Sequence, residues 1–147
     1  MKKQLCLFVF CLLLALPSFA QTAANMDELM QTQAVSYRQA AWLVLQAADI
    51  ADLNPDAAFA YALERKWLPA GAAPEGQARL DGISLLLMRA FQIKGGLFYS
   101  IAKNAHYAYR ELAYQGVIFG RADPAMTVPG GLLLFMTGKV LSWTEDA

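Results

Sequence analysis

Cysteine is nearly absent from this 147-residue chain: there are two, Cys6 and Cys11. Both fall within an opening segment in which Met1-Lys2-Lys3 precedes the apolar run Leu5 to Leu16 and then Pro17-Ser18-Phe19-Ala20-Gln21. A basic start, an apolar stretch and small residues one and three positions before a cut read as a secretory signal peptide, residues 1–20, cleaved near Ala20. Neither cysteine follows the Leu-small-small pattern of a lipoprotein processing site. The run is shorter than the ~20 residues an ordinary membrane span needs; retention of the segment as an anchor is the alternative. A chain cleaved there has no thiol, which excludes the disulfides on which small exported domains often rely. Packing alone must hold residues 21–147, a length that suits one domain.

An excess of positive charge is also missing. Removing Lys2 and Lys3 from the 12 basic residues leaves 10 against 12 acidic ones, a net charge near −2. That balance excludes the basic footprint of a nucleic-acid binder, and no lysine-rich amphipathic stretch suits an anionic membrane surface. Long apolar runs are absent beyond the leader. Ile83 to Ile93 is interrupted by Arg89, and Leu132 to Val140 contains Gly138 and Lys139. Both read as buried helices, leaving no stable membrane span after cleavage.

Catalytic constellations are lacking too. The single histidine, His106, has no acidic residue at the three- or four-residue spacing a helix-borne metal site would use. No serine occupies a Gly-x-Ser-x-Gly elbow, and the glycines never form a phosphate loop followed by Lys-Ser or Lys-Thr. Glu64, Glu111, Asp81 and Asp123 suit helix surfaces, caps and turns. The reading is of no enzyme, no metal and no cofactor.

What is present is helical pattern throughout, with no strict alternation of the strand type. Residues 26–32 read as a short helix capped by Asn25. Ser36-Tyr37-Arg38-Gln39 is a capping box, followed by apolar residues at 40, 41, 43, 44, 47 and 48. Asn54-Pro55 starts a helix to about 66. Pro69 to Gly76 is a loop. Asp81 is the expected N-cap of a helix running to about Ile93, with Leu80 stapled to Leu85. A longer helix is expected over 97–115, with Phe98, Ile101, Ala105, Ala108 and Leu112 as its buried stripe. Pro129 opens the last one, which ends near Ser142.

The segment at 109–141 has a fainter copy at 61–91. Tyr61 falls near Tyr109, Leu63 opposite Leu112, Gly71 opposite Gly120, and Leu80-Asp81-Gly82 opposite Val128-Pro129-Gly130. A third partial copy begins at Val35-Ser36-Tyr37, 45 residues before Leu80, which lies 48 before Val128. Such periods mark helix-turn-helix units that bury their faces against each other. On "ELAYQGVIFGRADPAMTV" at 111–128 and "ALERKWLPAG" at 62–71, the chain resembles the S-layer homology family, over about two and a half repeats between 34 and 141. The resemblance implies an all-α fold of helix-turn-helix repeats packed as a small bundle. It also implies a noncatalytic module of the periplasm or cell envelope. In that family a Thr-Arg-Ala-Glu segment opening the second helix binds wall polysaccharide. The matching positions here read Ser36-Tyr37-Arg38-Gln39, Asp81-Gly82-Ile83-Ser84 and Pro129-Gly130-Gly131-Leu132, keeping helix-starting residues without the arginine in place. Arg38 and Arg79 stand near those starts.

An envelope protein partner is therefore expected. Anchoring to a cell-wall glycan is the second reading, and a small periplasmic enzyme or ligand carrier the third. The candidate surface is the face bearing Lys103, Tyr107, Arg110 and Tyr114 with His106 at its edge, because aromatic rings among cations suit partner recognition.

Overall fold

A computed structural model describes residues 16–50 and 52–145, with side chains from Ala23 onward. The signal segment proposed for residues 1–20 lies mostly outside them. Among the described residues the fold is all-α, with seven helices: α1 (Leu16–Gln31), α2 (Tyr37–Ala47), α3 (Pro55–Glu64), α4 (Leu80–Ala90), α5 (Leu97–Ile101), α6 (Ala105–Tyr114) and α7 (Gly130–Glu145). No strand accompanies them, only two isolated antiparallel bridges, Ser36 with Gln77 and Arg79 with Thr127. No helix among the described residues is long and apolar enough to cross a membrane.

α4 is the central element. Its sequence LDGISLLLMRA buries residues around most of its circumference, including Leu80, Ile83, Leu86, Leu87 and Met88. It packs against α6, α2 and α7, while α2 pairs with α3 and α1 with α7. Its buried serine is locally satisfied: the Ser84 hydroxyl donates to the Leu80 carbonyl at 2.7 Å. Thr137 of α7 repeats the device on Leu133 at 2.8 Å.

The beginnings of α2, α4 and α7 meet in a closed ring of backbone hydrogen bonds. The Val35 N–H donates to Val128, Val128 to Ala78, and Ala78 back to Val35, at 2.9, 3.0 and 2.8 Å. All three residues are fully buried. Around this ring the connectors cap the helices they do not belong to. Tyr37 and Arg38 of α2 donate to the carbonyls of Gly76 and Pro74, both at 3.0 Å; Leu80 and Asp81 of α4 donate to those of Met126 and Pro124, at 2.9 and 3.0 Å. The free N–H groups of a helix start need acceptors when burial removes water, and here the loops supply them. The Ser36–Gln39 capping box is formed in full at the start of α2. Asn54 caps α3 with Pro55 at its first position.

The same bonds explain why Asp81 is not the cap of α4. Arg79 occupies that position without a side-chain capping bond, since the orphan donors of the helix start already have loop acceptors. Asp81 lies inside the helix and accepts from the Gly82 N–H at 2.8 Å. They also shift the register read from sequence: matching hydrogen bonds place Tyr37 and Leu80, 43 residues apart, in corresponding positions, and Pro74 with Pro124, 50 apart.

Three more expectations are corrected. α1 is a continuous helix from Leu16, so Asn25 lies in its interior instead of capping it. The long helix expected over 97–115 is two: α5 ends at Ile101, and Asn104 starts α6 by accepting from the Tyr107 N–H at 3.1 Å. Two members of its supposed core stripe, Phe98 and Ile101, are 66% and 77% exposed, whereas Ala108 and Leu112 are buried. α4 stops at Ala90, ahead of Ile93.

That last end belongs to a pattern. α2, α3, α4 and α6 each finish in a left-handed residue, Asp49, Lys66, Gln92 and Gly116, with φ of 51°, 56°, 53° and 75°. Each is followed by an apolar residue whose N–H reaches back to a carbonyl of the last turn: Ile50 to Leu45, Trp67 to Ala62, Ile93 to Met88 and Val117 to Leu112. This is the Schellman motif, which ordinarily takes glycine at the left-handed position. Three of the four ends carry a side chain there, so sequence punctuation does not reveal them.

Two predictions follow from these backbone geometries. Lys66→Gly relieves a left-handed penalty of about 1–2 kcal/mol against an unfolded-state cost of about 0.5–1 kcal/mol, and is expected to raise the thermal midpoint; Gly116→Ala does the reverse, and calorimetry on the pair checks the sign. At the start of α7 the Gly130 N–H donates to the Thr32 carbonyl at 2.9 Å, and a Cβ on Gly130 would overlap the Leu29 carbonyl of α1, while Gly131 has open space around it. Gly130→Ala is expected to cost about 3 kcal/mol by overpacking and Gly131→Ala to be neutral or stabilising by up to about 1 kcal/mol, as read by denaturant unfolding.

Candidate functional site

The two helix pairs α2–α3 and α4–α6 differ at one place. Asp49 and Gln92, which end α2 and α4, are 43 positions apart, whereas the caps Asn54 and Asn104 are 50 apart. Seven residues between α4 and α6 thus have no counterpart in the first pair, and they account for α5. This short helix spends apolar residues on the surface: Leu97, Phe98 and Ile101 are all more than 60% exposed. Only Tyr99 turns inward, 3% exposed.

Gly96 joins the segment to α6 by donating its N–H to the Glu111 carboxylate at 2.8 Å. Glu111 also accepts from the Gln115 side chain at 2.6 Å. Phe98 stacks on Tyr107 with ring centres 6.0 Å apart and planes 11° from parallel, and His106 meets the same Tyr107 edge-on at 5.2 Å. Between α5 and α6 lies a cleft of about 320 Å³ whose walls include Leu97, Phe98, Tyr107, Arg110 and Tyr114. Tyr114 is 89% exposed.

Of the residues expected at the site, His106, Tyr107, Arg110 and Tyr114 lie on α6, and the cleft gathers Tyr107, Arg110 and Tyr114. Lys103 is not on that helix. It lies in the link before Asn104 and faces a different cavity, lined also by Trp67, Arg89, Lys94, Tyr99 and Ser100. Leu97 and Phe98 are not among the site residues expected from the sequence, because a continuous helix over 97–115 places Phe98 in its buried stripe. The signal that separates them is Asn104-Ala105, which repeats the start of α3 at Asn54-Pro55.

The two arginines near helix starts are engaged elsewhere. Arg38 pairs with Asp56 at 2.8 Å and with Glu75, and Arg79 with Asp81 at 2.8 Å. The serine hydroxyls at 84, 100 and 142 donate to nearby backbone carbonyls, and that of Ser36 caps α2. Among the described residues no group of three or more His, Cys, Asp or Glu is placed to hold a metal ion.

Burial pushes the phenols of Tyr37 and Tyr99 above the ordinary value of 10.0; for Tyr99 the Arg89 charge offsets part of the rise. The Tyr99 hydroxyl has no hydrogen-bond partner among the described residues. Because the folded-state phenol ionises above 10, its contribution to stability is complete below pH 10 and is lost as pH climbs from there through the folded value. Tyr99→Phe is therefore expected to leave stability at pH 7 within about 0.5 kcal/mol and to flatten the loss above pH 10, as followed by phenolate absorbance and unfolding in parallel.

No protein-family model, no curated protein and no solved structure matches this chain.

Proposed function

We propose that this chain is a noncatalytic, exported interaction or scaffold module of the cell envelope, built on degenerate S-layer-homology-like repeats, that binds a protein partner through the α5–α6 face. The observation that carries the reading is the exposed Phe98–Tyr107 stack beside Leu97, Arg110 and Tyr114. Burying large apolar side chains and a cation together on a partner is the residue chemistry of interface hot spots. α5 also has no counterpart in the first helix pair, and apart from Tyr99 its apolar residues lie outside the core.

The repeat reading is supported by the hydrogen-bond ring joining Val35, Ala78 and Val128 and by the matching loop caps on α2 and α4. α7 stands as the first helix of a third unit. The end of α1 supplies Thr32 as acceptor for Gly130, which supports completion of the bundle from within the same chain. Export to the periplasm or beyond rests on the leader-like segment at residues 1–20. The pairing of Arg38 and Arg79 with carboxylates favours a protein partner over an anionic wall glycan, because neither guanidinium is free for a polymer.

The test compares the wild-type protein with Tyr107→Ala/Arg110→Ala in crosslinking and affinity capture from the host's envelope fraction. The wild type is expected to retain a discrete partner that the double variant loses by about ten-fold or more, with helical circular dichroism unchanged. Equal capture by both proteins overturns the surface assignment. Salt-sensitive pelleting with purified sacculi, unaffected by the double variant, would instead select the glycan reading.

A further inference from the structure

Beside α5 a second cavity opens, of about 600 Å³, between the end of α3, the last turn of α4 and the inner side of α5. Its walls bring together Arg89, Lys94 and Lys103, with Trp67, Tyr99 and Ser100 between them. No carboxylate lines it, and among the described residues none lies within 4.0 Å of any of these three cations. Elsewhere on the molecule Arg38 and Arg79 are paired with acids, and the chain beyond the leader carries more acidic than basic residues. Arg65, Lys66, Arg110, Arg121 and Lys139 have no acid partner within 4.0 Å among the described residues either; what distinguishes Arg89, Lys94 and Lys103 is that they line one cavity together.

Two buried donors sharpen the contrast. The Nε of Arg89 and the hydroxyl of Tyr99 have no hydrogen-bond partner among the described residues. Buried polar groups are ordinarily satisfied, and one left alone signals strain or an absent ligand. Arg89 lies in the last turn of α4, where a cation offsets the partial negative charge of the helix end. That role accounts for neither Lys94 nor Lys103, which lie outside any helix, and leaves Nε without an acceptor.

We infer that this cavity binds a small organic anion, with a carboxylate or phosphate head held by Arg89, Lys94 and Lys103 and an apolar or ring-bearing body against Trp67. Charge-assisted bonds to a guanidinium and two ammonium groups are the strong ones available to an anion. The space is far larger than an inorganic ion and falls in the range of small-molecule sites. Trp67 stands edge-on to Tyr61 at 5.6 Å, with the Arg65 guanidinium 3.5 Å from the centre of the Tyr61 ring, so the aromatic wall is braced from behind. Tyr107, Arg110 and Tyr114 do not line this cavity, so the site does not depend on the partner reading.

The experiment titrates the purified protein with phenyl phosphate, benzoate, inorganic phosphate and phenol, following backbone amide shifts. Saturable binding of phenyl phosphate or benzoate by about 10 mM, centred on residues 88–103 and at least about ten-fold tighter than inorganic phosphate or phenol, is the expected result. The better of the two names the head group. Lys94→Gln and Lys103→Gln, both at exposed positions, should each weaken it several-fold, and Arg121→Gln, in the α6–α7 connector, should not. Arg89→Gln is interpreted only if its thermal midpoint stays near wild type; the two lysine variants carry the test otherwise. Absence of saturable shifts with both organic anions overturns the inference, as does binding weakened equally by Arg121→Gln.

Discussion

Three backbone hydrogen bonds, passed around Val35, Ala78 and Val128, hold together parts of the chain more than 90 residues apart. Each bond joins the residue two places before a helix start to its counterpart elsewhere, in a fully buried setting where no water competes. Breaking one would leave a donor and an acceptor buried without partners, so the ring forms as a unit. Its closure sets where α2, α4 and α7 begin. It also brings the two Pro-containing connectors over those beginnings, so that loop carbonyls satisfy the N–H groups a helix start leaves open.

This arrangement relaxes what each helix must encode for itself. α4 needs no side-chain cap because Pro124 and Met126 cap it from another part of the chain. Helix ends are handled similarly: Asp49, Lys66 and Gln92 adopt left-handed backbone where glycine would cost less, and the apolar residues after them, Ile50, Trp67 and Ile93, pack against the core. Burial of the following residue, aided by its hydrogen bond to the last turn, outweighs a local penalty of about 1–2 kcal/mol at each position.

With the frame closed by these means, α5 is free of structural duty except through Tyr99. Its outward Leu97 and Phe98 line the cleft toward α6, and Tyr99 and Ser100 line the cavity toward α4. The two sides differ in chemistry. The α5–α6 cleft is aromatic with one cation and one acid, Arg110 and Glu111, while the cavity toward α4 gathers cations alone. α5 thus borders two surfaces of different chemistry while its Tyr99 joins the core.

Much of the helical content was legible in the sequence because it rests on local chemistry. The Ser36–Gln39 box and Asn54-Pro55 act within a few residues of where they are written, and the structure uses each as read. The aromatic and cationic residues of α6 share a face by helical spacing alone, which made Tyr107, Arg110 and Tyr114 recognisable together. What the sequence could not determine was decided by partners far along the chain. Asp81 lost the capping position because distant carbonyls took it. Phe98 and Ile101 left the core because Asn104 restarts the helix in a new direction, and Lys103, thereby removed from α6, joined Arg89 and Lys94 from α4 and its exit. Periodicity reports which residues of one helix face the same way; only tertiary packing determines which helix ends and side chains meet, since those encounters are fixed by closure of the whole bundle.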